Sequence, residues 1–407
     1  MHIRDLNRDE LTVINSIFSL YEPTRSALVR DTHFSLAKLS SIIGKLERNN
    51  FVFKKGKTKS VGGRPSYIYE VNPRLGHSIG ISIKLDSMNF VGVNCSKEIV
   101  GSWSFPLDPP SFADDGISAF VDQLSQGLEE VVIQEFEGKE QLISIGLALT
   151  GMVDTNRGVW LQGLQIPAMA HVNLREKLEK RFSLSAFLED TARAVAYREK
   201  LLGYGGGIPA FVLLYIGMGM GAGIVIDNKI YRGIHGLAGE IGHILHPDIS
   251  YRCSCNTVGC LETVLSTPGI LRLFKDRLKQ GVLSELQQYD RGESEALSLD
   301  AILGAASRDD RFALTTLTEV SQFLAETCAI LIKAYNPKKI VISGEVSILK
   351  DFLQSPLHQI IQQRVMAELL QDLEIVFADY APIHEAHGVG LLALNHYFAN
   401  SLNDKRK

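Results

Sequence analysis

The chain has 407 residues, 45% of them hydrophobic and 22% charged, with a formal net charge of −4. This is an ordinary folded composition, and the length passes the roughly 250–300 residues at which one core stops growing, so two or three domains are expected. No apolar run approaches the roughly 18 residues of a membrane helix, and the polar start from Met1 to Glu10 is no secretory signal, so a cytoplasmic protein without a membrane partner is expected.

Charge is unevenly placed. Residues 1–75 carry 13 Lys+Arg against 7 Asp+Glu, a balance of +6, which leaves −10 on the remainder. A basic head on an acidic body points to a polyanion that meets only the head.

In chain order, residues 7–20 read as an amphipathic helix. Asn7 is its N-cap with Glu10 three positions on, and Leu11, Ile14, Ile17 and Phe18 share one face. Pro23 ends the connection, a second helix begins over 24–29, and Ser35 caps a third whose expected buried stripe is Leu36, Leu39, Ile42, Ile43 and Leu46. Strands at 51–53 and 67–71 bracket a long basic tip that ends in Gly62-Gly63-Arg64-Pro65. Three helices and a basic hairpin make a winged helix-turn-helix over residues 1–75, bounded at Asn72-Pro73. Between Lys38 and Arg64 there are eight basic residues and one acid, Glu47, which suits phosphate contacts. The expected DNA contacts are Arg25, Ser35, Ala37, Lys38, Ser40, Ser41 and Lys45 toward a major groove, and Arg64 toward an A·T-rich minor groove.

From Gly76 the texture alternates. Strand-like runs lie at 78–83, 90–93, 143–149, 186–188, 211–215, 223–226, 339–342 and 374–377. Helical patterns fit 117–136, 174–181, 191–202, 268–279, 313–335, 348–371 and 385–399. That order predicts an α/β body of two lobes with a cleft, 76–200 and 201–384, the C-terminal helix 385–400 packing back on the first. No internal repeat is visible.

Of five cysteines, Cys95, Cys253, Cys255, Cys260 and Cys328, three crowd into eight residues. In a reducing compartment such crowding reads as metal binding before disulfide. His243, Cys253, Cys255 and Cys260 make a tetrahedral zinc set with no position left for water, hence a structural site; His246 is a spare candidate. Glu240 and Glu262 flank the set, and two carboxylates with a metal-held imidazole suit a grip on vicinal hydroxyls. Structural carboxylates beside zinc would look the same. The glycine-rich run 217–223 lies between strands, where it is either an anion cradle or only a tight hairpin. Ser343-Gly344-Glu345, after another strand, is a weaker signal of the same kind.

The segment from Gly236 through His243, followed by the cysteine knuckle and Gly259-Cys260-Leu261-Glu262, resembles the ROK family of repressors, open reading frames and sugar kinases, and the resemblance spans essentially the whole chain. The head with Gly63-Arg64-Pro65 is similar to the repressor branch, as in xylose-, glucose- and N-acetylglucosamine-responsive repressors. The resemblance implies an actin/hexokinase-like two-lobed body with structural zinc and a sugar in the cleft. It implies ligand contacts from Glu189, Asp190, Glu240, His243 and Glu262, with Asp190 at the kinase general-base position. Asn256 stands where the family usually has Gly, and Asn tolerates the left-handed turn.

The nucleotide side departs from the kinases. The family's Asp-x-Gly-Gly-Thr loop aligns with Ser82-Ile83-Lys84-Leu85-Asp86, and its Gly-Thr-Gly with Gly217-Met218-Gly219. Bulk replaces glycine and a carboxylate faces the phosphates, so no kinase activity is expected. The expected function is a repressor of carbohydrate uptake or catabolism genes, a dimer or tetramer, with operator DNA and a sugar or sugar phosphate as partners. The alternatives are an active sugar kinase that kept its head, and a regulator triggered by a sugar-transport protein.

Overall fold

The structure, a computed structural model, describes residues 3–58, 65–108, 112–136, 142–163, 170–290 and 296–404. The head opens with α1 (Arg8–Ser19), α2 (Arg25–Thr32) and α3 (Leu36–Arg48), followed by the hairpin β1 (Val52–Lys57) and β2 (Tyr67–Val71). Each helix starts where its sequence says it must. Asn7 and Glu10 form a reciprocal capping box, Asn7 Oδ1 accepting the Glu10 N–H at 3.0 Å and Glu10 Oε2 accepting the Asn7 N–H at 2.9 Å. Thr24 caps α2, and Ser35 Oγ accepts the Lys38 N–H at 3.2 Å. Leu11, Ile14, Ile17, Leu28, Leu39, Ile43 and Leu46 close the head's core over Phe51 and Tyr69.

Two residues of the expected α3 stripe are not buried. Leu36 is 59% exposed and Ile42 is only half-buried. Leu36 is the first residue of α3, beyond the reach of α1 and α2, so helical spacing alone overstates the buried face.

The chain as a whole divides into two compact units. The first comprises residues 1–207 with 382–407, and therefore includes the head; the second is 208–381. After the head, the first unit continues with β3 (His77–Ile83), β4 (Ser87–Asn94), β5 (Ile99–Pro106), α4 (Phe112–Glu135) and β6 (Leu142–Leu149). Then come β7 (Met152–Asp154), β8 (Val159–Gln162), β9 (Ala170–Asn173), α5 (Leu174–Phe182), β10 (Ser185–Asp190) and α6 (Thr191–Leu202). Its main sheet runs β5-β4-β3-β6-β10, with β3, β4 and β5 an antiparallel meander and β3, β6 and β10 parallel. A small sheet β7-β8-β9 stands beside it.

The second unit holds β11 (Phe211–Ile216), β12 (Met220–Ile226), β13 (Lys229–Tyr231), α7 (Glu262–Leu265), α8 (Thr267–Leu278), α9 (Gln287–Asp290), α10 (Leu299–Ser307) and α11 (Arg311–Tyr335). It ends with β14 (Lys339–Ser343), α12 (Lys350–Arg364), α13 (Ala367–Leu370) and β15 (Glu374–Phe377). Its sheet runs β13-β12-β11-β14-β15, again an antiparallel meander followed by parallel strands. Both units thus order their strands 3-2-1-4-5, a repeat of topology that no sequence repeat announces. The single helix expected over 348–371 is two, because Val365 turns extended (φ −121°, ψ 139°) and buries its side chain.

The last helix, α14 (Ile383–Asp404), belongs to the first unit. It lies directly on the main sheet, where Ser78 Oγ donates to the Gly390 carbonyl at 2.8 Å. Gly80 and Gly146 permit this approach, since a Cβ on either would collide with α14 carbonyls, those of Ala386 and Val389. Among the described residues no helix is long and apolar enough to cross a membrane.

Candidate functional sites

In the second unit, residues 241–243 form one tight helical turn that ends in His243, and a loop with two isolated bridges folds the three cysteines against it. The donor atoms of His243, Cys253, Cys255 and Cys260 all lie within 4.8 Å of one another. Cys253 Sγ is 3.6 Å from His243 Nδ1, and Cys255 Sγ is 3.6 Å from Cys260 Sγ. Bonds of about 2.3 Å to sulfur and about 2.0–2.1 Å to nitrogen span a tetrahedron with edges of about 3.5–3.8 Å, the separation of those two pairs, so the four donors could hold a metal ion. Asn256 takes φ +68° and Gly259 φ +98°, the left-handed turns that bring the thiols round. Burial alone would raise the Cys255 thiol, but hydrogen bonds from Thr257 and the neighbouring thiols outweigh it and bring Cys255 down to about 7. Burial pushes Cys260 up to about 12. His246 stands apart from the set, its Nε2 2.6 Å from Glu326 Oε2 on α11.

The two flanking carboxylates are half-buried. Glu240 precedes the turn that carries His243, and the His243 N–H returns to the Glu240 carbonyl at 3.2 Å. Glu262 starts α7; its Oε2 accepts the Met220 N–H at 3.0 Å, and its Oε1 faces Cys253 Sγ at 3.8 Å. That bond ties the knuckle to the glycine-rich run, which is a tight β11–β12 hairpin closed by Gly217 N–H to the Gly219 carbonyl at 3.0 Å. Beside it Glu345 accepts the Thr267 hydroxyl at 2.7 Å, and the Thr267 N–H meets the Gly217 carbonyl.

The first unit supplies Glu189 and Asp190 at the end of β10. The Glu189 side chain is fully buried: its Oε1 accepts from Arg193 Nε at 2.7 Å, Thr155 Oγ1 at 3.0 Å and the Asp190 N–H at 3.0 Å. That carboxylate neutralises an equally buried guanidinium inside the protein. Thr155 and Arg193 were not singled out in the sequence, and helical spacing does not pair Glu189 with Arg193, because Glu189 ends strand β10 while Arg193 lies on α6. Asp190 is half-buried and caps α6, Oδ1 accepting the Arg193 N–H at 3.1 Å. Burial raises its carboxyl above the usual range, Glu189 adds to the rise and Arg193 opposes it. In the β3–β4 turn, the Lys84 ammonium lies 3.7 Å from buried Glu385, and Asp86 accepts the Ser87 hydroxyl.

On the head, Arg25, Ser35, Ala37, Lys38, Ser41 and Lys45 are exposed and Ser40 is half-buried. Two of the cations have partners on α1: Lys38 Nζ is 2.7 Å from Asp9, and Lys45 Nζ is 2.5 Å from Glu10. Lys54 and Lys57 of the hairpin lie over the Tyr67 ring at 4.9 and 5.0 Å. Arg64 lies outside the described residues.

A solved ROK family transcriptional regulator, a homologue of the E. coli MLC protein, superposes with a TM-score of 0.78 at 24% identity, covering 98% of this chain and 99% of its own. That likeness defines the class by fold: a winged-helix head on an α/β body of two similar sheets. The ROK family profile matches residues 117–396, and the chain belongs to the ROK family. A xylose repressor of Caldicellulosiruptor bescii is 26% identical over 371 residues, 90% of each chain. A glucokinase of Halalkalibacterium halodurans is 30% identical over 282 residues, 69% of this chain and 84% of its own.

Proposed function

We propose that this chain is a sugar-responsive transcriptional regulator, a repressor of carbohydrate uptake or catabolism genes that works in the cytoplasm. The carrying observation is the head, three capped helices and a basic hairpin over residues 8–71, joined to a ROK body. A sugar kinase has no use for an exposed helix set out to read a groove. Arg25, Ser35, Ala37, Ser40 and Ser41 are the base-edge and backbone contacts of this reading. Lys38 and Lys45 exchange Asp9 and Glu10 for phosphates, and Arg64 serves the minor groove.

Glu189, Asp190, Glu240, His243 and Glu262 are the proposed contacts for a sugar or sugar phosphate. With Nδ1 of His243 turned to the thiols, its Nε2–H is the donor left for a hydroxyl. His243, Cys253, Cys255 and Cys260 hold zinc in this reading, and four protein donors make that ion structural. The reading is of a non-enzyme, supported by the carboxylates of Asp86 in the β3–β4 turn and of Glu345 beside Gly217, which would repel a nucleotide's phosphates. The protein acts as a homo-oligomer that places two heads on a palindrome.

The experiment selects duplexes from a random pool with purified protein, then adds aldoses, amino sugars and their 6-phosphates. A selected palindromic site released by one sugar supports the reading. No selected sequence, or ATP-dependent phosphorylation near the roughly 1–100 s⁻¹ of kinases, overturns it.

A further inference from the structure

Helix α6 is held at both ends by specific bonds, and its two ends serve different parts of the molecule. At its start Asp190 caps it and Glu189 grips Arg193 one turn in. At its end Lys200 donates its ammonium to the Ser19 carbonyl at 2.5 Å. Twelve residues at about 1.5 Å each separate those ends by about 18 Å. All but two of those residues are buried, so the helix can shift only as one body. Gly388 of α14 packs so tightly on it that a Cβ there would collide with the Ala194 carbonyl.

Ser19 and Leu20 close α1, the first helix of the head. Carbonyls of a last helical turn have no partner within their own helix, and cations suit that negative end. The Leu20 carbonyl takes a second ammonium, Lys97 from the β4–β5 turn, at 2.9 Å. Ser19 Oγ reaches Asn395 Oδ1 of α14 at 2.8 Å, and the Phe18 ring meets Phe398 edge-on at 5.2 Å. Tyr21 packs against Gly206 in the loop that follows α6. From the other end of α1, buried Leu11, Ile14 and Ile17 share the head's core with Leu39, Ile43 and Leu46 of α3. Bonded and packed contacts therefore run from Asp190 through α6 and α1 to the recognition helix.

We propose that α6 transmits effector binding to the head: a sugar hydroxyl on Asp190 displaces α6, Lys200 carries the Ser19 carbonyl with it, and α1 re-aims α3. This rests on the sugar-responsive reading above and names the element that carries the response. By linkage, DNA on the head changes sugar affinity by the same factor as sugar changes DNA affinity.

The test uses the full chain, a fluorescent duplex that the protein itself selects from a random pool, and D-xylose, D-glucose, N-acetylglucosamine and the 6-phosphates of the last two as probes. In wild type one probe changes duplex affinity by about tenfold or more, whereas K200M binds that probe within about twofold of wild type yet changes duplex affinity by less than about threefold. K97M removes a comparable anchor that lies off α6 and keeps the response. A full response in K200M, or equal loss in K97M, overturns the proposal. Hydrogen exchange on wild type serves if K200M does not fold: probe binding alters protection in 191–202 and 17–21 together, and a change confined to one segment or absent from both overturns it. If no probe shifts the wild-type protein on its selected duplex, the sugar-responsive reading itself fails and this proposal with it. If probes shift wild type and K200M alike, only the coupling falls.

Discussion

Acidification from pH 7.5 to pH 5 should weaken the first unit through one side chain, His387 of α14. The imidazole is 4% exposed, its Nε2–H donates to the Lys97 carbonyl at 3.0 Å, and its Nδ1 is buried without a hydrogen-bond acceptor among the described residues. A proton on Nδ1 would be a buried charge with nothing to receive it. Burial first, then the nearby Arg198 and His384, hold the imidazole down to about 4 against 6.5, despite the Lys97 carbonyl favouring the charged form. The unfolded chain therefore takes up a proton near pH 6.5 that the folded protein refuses until about pH 4, and stability falls as pH drops through that window. The gap is about 2.5 pH units at about 1.4 kcal/mol each, so roughly 2 kcal/mol is lost by pH 5 and roughly 3 by pH 4.

Both tryptophans of the chain, Trp103 and Trp160, lie in the first unit, so urea titrations followed by tryptophan fluorescence report its unfolding alone. H387Q keeps a donor for the Lys97 carbonyl and cannot titrate. The stability difference between wild type and H387Q should shrink by about 2 kcal/mol between pH 7.5 and 5, the other histidines cancelling in the difference. A difference flat to within about 0.5 kcal/mol, or an NMR midpoint for His387 above pH 6, refutes the argument.

Three further outcomes are expected. C255S should take bound zinc from about one per chain to well below half by elemental analysis, and unchanged metal content would show that the four donors do not act together. G80A forces a methyl into the Ala386 carbonyl and to 2.7 Å from the Gly390 N–H, so α14 must lift from β3. The expected loss is about 1–3 kcal/mol by tryptophan fluorescence in urea, and a wild-type midpoint would mean that the close packing is not needed. L36S replaces an exposed apolar residue at the start of α3 that meets a thymine methyl if the proposed DNA-binding reading holds. Selection from a random pool should then show roughly tenfold weaker preference at one base pair, and an identical selected site would remove Leu36 from the reading surface.

Signals confined to a few neighbouring residues could be read directly from the sequence. Asn7 with Glu10, Thr24 and Ser35 start their helices where a short polar side chain can reach an unpaired N–H, and that geometry spans only three residues. The cluster of potential metal donors was legible for the same reason, because His243, Cys253, Cys255 and Cys260 lie within 18 consecutive residues. The strand β5 was missed although its exposure alternates along Ile99–Pro106, the pattern of a half-buried strand whose turn signals are weak.

Wherever partners lie far apart in the chain, only the tertiary structure decided. The 3-2-1-4-5 order recurs in both units because backbone hydrogen bonds specify a sheet, and two sheets can share them without sharing side chains. Glu189 is buried against Arg193 and Thr155, and whether a carboxylate meets ligand or guanidinium depends on which neighbour the fold turns toward it. Lys38 and Lys45 found Asp9 and Glu10, and Lys97 and Lys200 found the end of α1, through contacts up to 181 positions apart. Composition and spacing determined which groups this protein has to offer. Long-range packing, which no local pattern encodes, settled which of them face outward and which hold the head to the body.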